Sequence, residues 1–291
     1  MRTNPQPHRG FTLVELLVVI GIIMVLLGIL LPAITGVQRA AREADTRSII
    51  ATLSQGVERY HSDHRAYPGP LSNDQIIAGG NALGLSGITM SENLTLGLLG
   101  GVNQPSPGTL TYDPNAVGLG PLNVRPGDTR RSQVYSDVRP GNELLSAGRF
   151  TDENGNQAND SVIPELLDRI GPPMPILYLR AAAGRAGVLS NNNAPDRFQY
   201  DLRMVLPYTN TSIGRGNHGL RDLGAMTDTI PSAGSTGATG LAFFKHPTLG
   251  GSSNAAGIPR QKDGYILISA GSDRRYGTID DICSFGNLRE E

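Results

Sequence analysis

Three carboxylates lie close together near the C-terminus, and oxygen groups of this kind bind hard cations. Asp273, Asp280 and Asp281 follow directly after the apolar run GYILIS, which ends at Ser269. If the connecting loop curls back, Asp273 can meet Asp280 or Asp281, and hydroxyl and backbone carbonyl oxygens can complete an all-oxygen shell. Ca²⁺ takes about six to eight such oxygens, although the spacing here is not that of an EF-hand. By themselves, these residues favour a solvated acidic turn over a metal site.

Another carboxylate stands alone in an apolar stretch near the N-terminus. From residue 11 to residue 34 the only residues that are not apolar are Thr12, Glu15, Gly21, Gly28 and Pro32. A run of roughly 20 apolar residues is long enough to cross a bilayer as a helix. A lone carboxylate in such a span is unfavourable, so Glu15 needs a positive partner or a proton.

The pattern of this stretch leaves two simpler interpretations open. The first is a secretory signal peptide with Arg2 and Arg9 as its basic region. The length of the apolar core and the presence of an acid argue against that interpretation. The second is an ordinary single-span anchor with a stray Glu15, which periodicity alone does not exclude.

The sequence contains no convincing catalytic motif. Residues 214–219 match the pattern GxGxxG, but no βαβ unit surrounds them and the chain has 37 glycines, so a Gly-rich turn is the better interpretation. No GxSxG, HExxH or Walker-type sequence occurs, and no spacing of Ser, His and Asp indicates a catalytic set. His61 and His64 share a helical face, where solvated histidines are commoner than a metal site. The sequence therefore predicts that the protein is not an enzyme.

The segment GFTLVE, from Gly10 to Glu15, resembles the cleavage and methylation site of type IV prepilins and type II secretion pseudopilins. A short basic leader ends in Gly10, Phe11 comes next, Glu15 follows four residues later, and the apolar run continues unbroken. The resemblance implies that a prepilin peptidase cuts between Gly10 and Phe11 and that the new α-amine of Phe11 is N-methylated. This amine and Glu15 of a neighbouring subunit are each costly alone in an apolar layer but tolerable as a pair. Glu15 would then set the register of subunit assembly.

Two further stretches resemble major pseudopilins. Residues 60–68 resemble their helix exit, where an aromatic residue, an acid and a Tyr-Pro pair close the helix. The C-terminal stretch resembles their calcium-binding loop, in which a strand ending in Ser-x-Gly-x-Asp leads to a final Asp-Ile. Arg274 and Arg275 depart from a purely acidic loop and would reduce its affinity for the ion. The ligands of Ca²⁺ that the resemblance implies are, in order, Asp273, Asp281, Asp280 and Ser269.

A long helix is the first element predicted to position these groups. After Pro32 and Gly36 helical periodicity resumes, and the chain should leave the helix near His64 because Tyr-Pro-Gly-Pro follows at residues 67–70. One apolar stripe runs along this helix at spacings of three and four, through Val37, Ala41, Ala44, Ile50, Leu53, Val57 and Tyr60.

The rest of the chain is predicted to form a loop-rich head. The Gly-, Asn-, Ser- and Pro-rich region 71–160 should be loops with short helices at 73–78, 92–99 and 142–147. Strands are predicted at 174–180, 198–206, 240–245 and 264–269. Several strands after one long helix, without βαβ alternation, predict an α+β fold with a mainly antiparallel sheet. The resemblance makes this fold pilin-like, with the long helix packed on the sheet.

Composition limits the classes of function. The chain has 291 residues, which is enough for one or two compact units, and a net charge of −1, which gives no basis for nucleic-acid binding. Its single cysteine, Cys283, rules out an internal disulfide and is expected to be a buried thiol. The arginines on the two sides of the apolar run do not favour either orientation in a membrane. Placing the head outside the cytoplasm therefore depends on the resemblance.

These inferences predict four segments: a leader (1–10), a transmembrane and filament-core helix (11–34), its amphipathic continuation (35–64) and an extracytoplasmic head (65–291). The resemblance implies a subunit of a type II secretion or type IV pilus filament, anchored in the inner membrane by one span until assembly. Its partners would be the prepilin peptidase, other pilin-like subunits, an inner-membrane assembly platform and membrane lipid. The alternative is a membrane-anchored protein that binds a glycan or protein ligand and does not polymerise. A hydrolase on the same anchor comes third.

Overall fold

The computed structural model describes residues 12–78, 88–123, 127–137, 144–145, 163–171, 173–185, 199–200, 259–273, 276 and 278–287. The chain divides into two compact units, Met1–Arg42 and Glu43–Glu291. Several predicted features lie outside the described residues: Gly10 and Phe11, the glycine motif at 214–219, the predicted strand at 240–245, most of the one at 198–206, and the Arg274–Arg275 pair.

Helix α1 spans Leu13–His64, so its 52 residues extend over about 78 Å. Pro32 lies inside it without ending it, and the hydroxyl of Thr35 donates a hydrogen bond to the Pro32 carbonyl at 2.8 Å. The helix ends where the sequence predicts, because Arg65 adopts a left-handed conformation with φ of 56° and the proline-containing exit follows.

The first part of α1 exposes its apolar side chains. Residues 12–42 are exposed almost without exception, and the helix contains a segment long and apolar enough to cross a membrane. The predicted stripe residues Val37, Ala41 and Ala44 are also exposed in the single chain. The stripe that packs in the head therefore begins further along the helix.

The later part of α1 is amphipathic, as predicted. Its buried residues are Thr46, Ile50, Leu53, Gly56 and Val57, and Tyr60 packs against the same core. This spacing places one face of the helix in the core. Gly56 is the point of closest approach, because a Cβ there would lie 2.6 Å from the Tyr135 carbonyl oxygen.

Helix α2 spans Asn73–Ala78, and helix α3 spans Met90–Leu99, which extends the predicted helix at 92–99 by two residues. Every residue of α3 is buried. A capping box starts α3: the backbone N–H of Glu92 donates to the Thr89 hydroxyl at 3.1 Å, and the N–H of Thr89 donates to the Glu92 carboxylate at 2.7 Å. Helix α3 is the central element of the head and contacts strands on several sides.

The described strands are β1 Gly100–Ser106, β2 Thr109–Val117, β3 Leu144–Leu145, β4 Glu165–Leu166, β5 Leu177–Arg180, β6 Tyr265–Ser269, β7 Ile282–Cys283 and β8 Gly286–Asn287. They form three antiparallel sheets. A hairpin joins β1 and β2, a short pair joins β3 and β4, and a four-stranded sheet has the order β5-β6-β7-β8. Helix α3 contacts β1, β4 and β5. The α+β layout is confirmed.

Two predictions for the middle of the chain are wrong. The hairpin β1–β2 occupies a region that is predicted as loops. Pro105 and Pro114 interrupt the strand pattern there, so the sequence does not reveal these two strands. A two-stranded sheet has only edge strands, where proline is tolerated. The helix predicted at 142–147 is also wrong where it is described, since Leu144–Leu145 is strand β3. By contrast, the strands predicted at 174–180 and 264–269 are confirmed as β5 and β6, and Cys283 is buried.

Arg180, the last residue of β5, holds the chain that leaves α1. Its guanidinium donates hydrogen bonds of 2.7–3.3 Å to the carbonyl oxygens of Tyr67, Pro68, Gly69 and Leu71. These carbonyls belong to a segment with two prolines, which cannot complete a regular backbone ladder. A single cation therefore satisfies most of the acceptors in this turn.

Helix α3 holds the same segment from within the head. The side chain of Asn93 accepts from the backbone N–H of Leu71 at 3.1 Å and donates to its carbonyl at 3.0 Å. Gly97 allows close approach, because a Cβ there would lie 2.4 Å from the backbone nitrogen of Gly69. The helix exit is thus fixed jointly by β5 and α3.

Replacing Arg180 with Met should lower the free energy of unfolding by about 1–3 kcal/mol, because half-buried carbonyls lose their donor. Urea denaturation of the full chain in detergent micelles measures this, and tyrosine fluorescence reports it because the chain has no tryptophan. Arg130→Met is the matched control, since Arg130 is exposed and pairs with Asp128 at 2.7 Å on the surface. Equal denaturation midpoints for the two variants would contradict the role assigned to Arg180.

Candidate functional site

A capping box formed by Thr12 and Glu15 begins α1. The backbone N–H and the hydroxyl of Thr12 donate to Oε2 of Glu15 at 2.9 and 2.8 Å, and the N–H of Glu15 donates to the Thr12 hydroxyl at 3.2 Å. Two groups that would otherwise lack partners at a helix start are satisfied in this way. The Thr-x-x-Glu spacing is the sequence signal for such a cap, and Thr12 is missing from the predicted site residues.

This cap gives the lone carboxylate of the apolar stretch hydrogen bonds from its own helix. Oε2 of Glu15 is satisfied within its own helix, whereas Oε1 accepts no hydrogen bond from the residues that the structure describes. Hydrogen bonds from neutral donors stabilise a carboxylate but leave its negative charge in place. The described part of the chain therefore holds only one of the two carboxylate oxygens of Glu15 and supplies no cation to it. The predicted processing residues Gly10 and Phe11 lie outside the described residues.

The loop after β6 closes on the carboxylate of Asp280. Its Oδ2 accepts hydrogen bonds from the N–H and hydroxyl of Ser272, both at 2.8 Å, and from the N–H of Asp273 at 3.0 Å. Its Oδ1 accepts one from the Thr278 hydroxyl at 2.6 Å. Gly271 is required here, because its φ is 63° and a Cβ would lie 2.4 Å from the Asp280 carbonyl oxygen.

These contacts keep Asp280 ionised. Burial alone raises the pKa of this carboxyl, but the hydrogen bonds from Thr278, Ser272 and Asp273 outweigh burial and hold the pKa below its ordinary value. The charged form of Asp280 thus fastens the two arms of the loop together.

The predicted calcium ligands converge in part. The Thr278 hydroxyl lies 2.6 Å from Oδ1 of Asp280 and 3.3 Å from Oδ1 of Asp281, so the two carboxylates meet at one hydroxyl. Asp273 joins them through its backbone N–H. The described residues on the two sides of this loop therefore meet, and their oxygens are of the type that Ca²⁺ prefers.

Ser269, the fourth predicted ligand, is engaged with a different part of the chain. Its hydroxyl donates to Oδ2 of Asp168 at 2.7 Å, and the N–H of Met174 donates to Oδ1 of the same aspartate at 2.9 Å. No local motif marks Asp168, which is why the sequence does not reveal this contact. Within the described parts of the chain, no group of three or more His, Cys, Asp and Glu side chains is arranged to hold a metal ion. The calcium ligands therefore remain a prediction.

The two histidines at the end of α1 have packing partners. His61 stacks on Tyr67 with ring centroids 4.4 Å apart. Nε2 of His64 lies 3.1 Å from the Tyr135 hydroxyl, which donates to Asp63 at 2.8 Å. These contacts close the helix exit, and both rings are half-buried and packed rather than solvated as the sequence analysis expects.

Comparison with known families identifies the N-terminal segment. Residues 6–31 match a family model described as the prokaryotic N-terminal methylation motif, which is the prepilin-type signature, and the resemblance seen in the sequence is confirmed. Comparison with curated proteins and with solved structures returned no match. The motif points to a structural subunit that a prepilin peptidase processes and that assembles with pilin-like subunits. The α+β layout is pilin-like, and the apolar helix is consistent with single-pass membrane anchoring.

Replacing Thr12 with Val removes the hydroxyl of the capping box while nearly preserving side-chain shape. Amide hydrogen exchange at Glu15 and Leu16 should accelerate by about fivefold, the effect of losing a typical N-cap. Hydrogen exchange followed by NMR on the full chain in micelles measures the change. Thr35→Val is the control, because that hydroxyl bonds to Pro32 elsewhere in α1. Unchanged exchange at residues 15 and 16 would show that the cap does not hold the helix start.

Proposed function

We propose that the protein is a structural subunit of a type II secretion or type IV pilus filament. The observation that carries this proposal is the prepilin-type motif at the start of a helix whose side chains are exposed from residue 12 to residue 42. Exposed apolar surface costs about 25 cal/mol per Å² in water, so these side chains need either lipid or other apolar helices around them. In a filament subunit these side chains would be surrounded by lipid before assembly and by the apolar helices of other subunits afterwards.

The N-terminal cap gives this passage a physical basis. Cleavage after Gly10 would free the α-amine of Phe11, a cation in an apolar layer. Glu15 keeps one oxygen open while Thr12 holds the other, so it can accept the amine of a neighbouring subunit without first losing its own cap. An ion pair in low dielectric needs good geometry and additional hydrogen bonds to offset desolvation, and Thr12 supplies such bonds.

The location and partners follow from the same proposal. Before assembly the apolar part of α1 would anchor the chain once in the inner membrane, with the head outside the cytoplasm. The partners would be the prepilin peptidase, an inner-membrane assembly platform and other pilin-like subunits. Helices without a hydrophobic drive between them associate in lipid through close packing, and small residues such as Gly21 and Gly28 favour that contact.

Processing and assembly are tested together in cells that carry a prepilin peptidase. N-terminal mass spectrometry should find a mature chain that begins at N-methylated Phe11. Glu15→Ala subunits should be cleaved and reach the membrane, yet fall at least about tenfold in sheared filaments, because the Phe11 amine loses its partner. Asp45→Ala removes an exposed acid further along α1 and serves as the control. A different N-terminus, or normal filament incorporation of Glu15→Ala, would overturn the proposal.

A calcium site in the C-terminal loop is a second proposal. It is supported by the meeting of Asp280 and Asp281 at Thr278 and by the backbone contact of Asp273 with Asp280. An ion would compete with hydroxyl and N–H donors for the Asp280 carboxylate and would neutralise charge that these donors leave in place. Ser269 is the weakest of the four predicted ligands, because its hydroxyl already donates to a carboxylate.

Calcium should raise the thermal midpoint of the full chain in micelles relative to EDTA. An ion at about 100 times its Kd contributes about 2.7 kcal/mol, which corresponds to roughly 5–10 °C for a head of this size. Asp281→Asn and Asp273→Asn should each abolish most of this difference, whatever their own midpoints. Asp137→Asn, at an exposed position, should retain it. Identical midpoints with calcium and EDTA in the natural sequence would refute the site and leave the filament proposal intact.

A further inference from the structure

A cleft lies between the exit from α1 and the hairpin β1–β2, and neither proposal uses it. Its volume is about 350 Å³, within the range of small-molecule sites. Helix α3 forms its floor through Leu96 and Gly97. The side chains on its walls that can contact a ligand are Tyr60, Tyr67, Gln75, Gln104, Asn123 and Arg180.

A second cavity of about 300 Å³ lies beside this cleft along the hairpin. The two share Gln104 and Leu122, and the second continues past Asn103 and Thr129. Space is therefore present on both sides of Gln104. A ligand that fills both cavities must be elongated and must cross this glutamine. The two charged residues of the second cavity are engaged, since Asp128 pairs with Arg130 and Arg131 donates to the Val102 carbonyl and to Asn103.

Among the side chains that line the cleft, Gln104 has a buried polar atom that lacks a hydrogen-bond partner in the described parts of the chain. Its Oε1 is buried and has no hydrogen-bond partner among the described residues. An unsatisfied buried acceptor costs about 1–3 kcal/mol, and such groups in folded proteins call for an explanation. The backbone of this residue is fixed, since its carbonyl accepts from Gly127 at 3.0 Å. Rotation of the amide by half a turn would present Nε2 instead, so one polar group stays unmet in either orientation.

The other polar groups in the cleft are neutral. Burial raises the pKa of Tyr60 and of Tyr67, so both hydroxyls stay protonated and can donate as well as accept. No described residue donates a hydrogen bond to these hydroxyls or accepts one from them. The amide nitrogens of Gln75 and Asn123 likewise have no acceptor among the described residues. No Asp or Glu belongs to the described lining of this cleft.

The one cation in this lining is already occupied. Arg180 donates to the four carbonyls of the helix exit and to Asn73, so its guanidinium has little capacity left for a carboxylate or phosphate. An anionic ligand would therefore gain little here.

We propose that this cleft binds a short, neutral, unbranched saccharide. The walls present acceptors, donors and hydroxyls close together, and a sugar hydroxyl can both donate and accept. Tyr67 already stacks on His61, and Tyr60 contacts the rings of His64 and Tyr135, so the apolar face of a sugar ring would pack only against the parts of these two tyrosines that line the cleft. A proline-rich peptide also suits aromatic grooves, but its proline residues have no N–H, so they could satisfy Gln104 only in the orientation that presents Nε2, whereas a sugar hydroxyl suits either orientation.

Titration calorimetry on the full chain tests this proposal with cellotriose, triacetylchitotriose and maltotriose as probes. The micelles must consist of a detergent without a sugar headgroup, since glucosides and maltosides would compete. At least one probe should bind with a Kd below about 1 mM. Gln104→Leu should weaken that binding by about tenfold or more, and Tyr60→Phe, which removes only a hydroxyl, should weaken it less. Gln133→Leu, an exposed glutamine outside both cavities, should bind as the natural sequence does.

Thermal midpoints separate a ligand role for Gln104 from a structural one. Gln104→Leu should keep or raise the midpoint while losing affinity, because it removes an unpaired acceptor from the folded state. Failure of all three saccharides to bind would overturn the proposal, as would equal affinity in the Gln104→Leu and Gln133→Leu variants. Binding of decaproline without saccharide binding would overturn it in favour of a peptide site. None of these outcomes bears on filament assembly.

Discussion

The hydrogen bonds from Arg180 to the exit of α1 are the contacts on which the head most depends. They connect β5 to the carbonyls that follow the long helix, and Asn93 and Gly97 of α3 hold the same segment from the other side. The exit contains two prolines and lacks a backbone ladder of its own. Its carbonyls must therefore be satisfied by side chains, and a guanidinium offers five donors in one plane.

Both ends of the chain place a carboxylate in a similar setting. Glu15 is held by the hydroxyl and N–H of Thr12, and Asp280 by the hydroxyls and N–H groups of its loop. Neutral donors fix the position of each carboxylate, but they supply no opposite charge. We propose that each site binds a cation from outside its own segment. The proposed cations differ as their surroundings do: an α-amine in an apolar layer, and a hard metal ion among oxygens.

What the sequence predicts well is local in origin. The extent of α1 follows from an apolar run and a proline-rich stop, and β6 follows from one continuous apolar run. The sequence does not reveal the hairpin β1–β2, because it contains Pro105 and Pro114, and proline is tolerated in a strand only at the edge of a sheet. Whether a strand lies at an edge depends on which strands pair, and the local sequence does not show this. The pairs Arg180–Leu71 and Ser269–Asp168 join residues about a hundred positions apart, and no spacing rule connects them. At the N-terminus the sequence analysis singles out Glu15 but not its Thr12 cap, although the Thr-x-x-Glu spacing is a visible signal for it.

The cleft and the helix exit are physically one feature. Tyr67, Gly69 and Pro70 line the cleft, and Arg180 holds this stretch in place while also forming part of the wall. A ligand in the cleft would contact a surface whose shape is set by the turn between α1 and the sheet. Binding there would stabilise that turn, because any ligand that prefers the folded state shifts the equilibrium toward it. The same few hydrogen bonds would then serve two purposes, to connect the long helix to the head and to shape the surface that the head offers to a ligand.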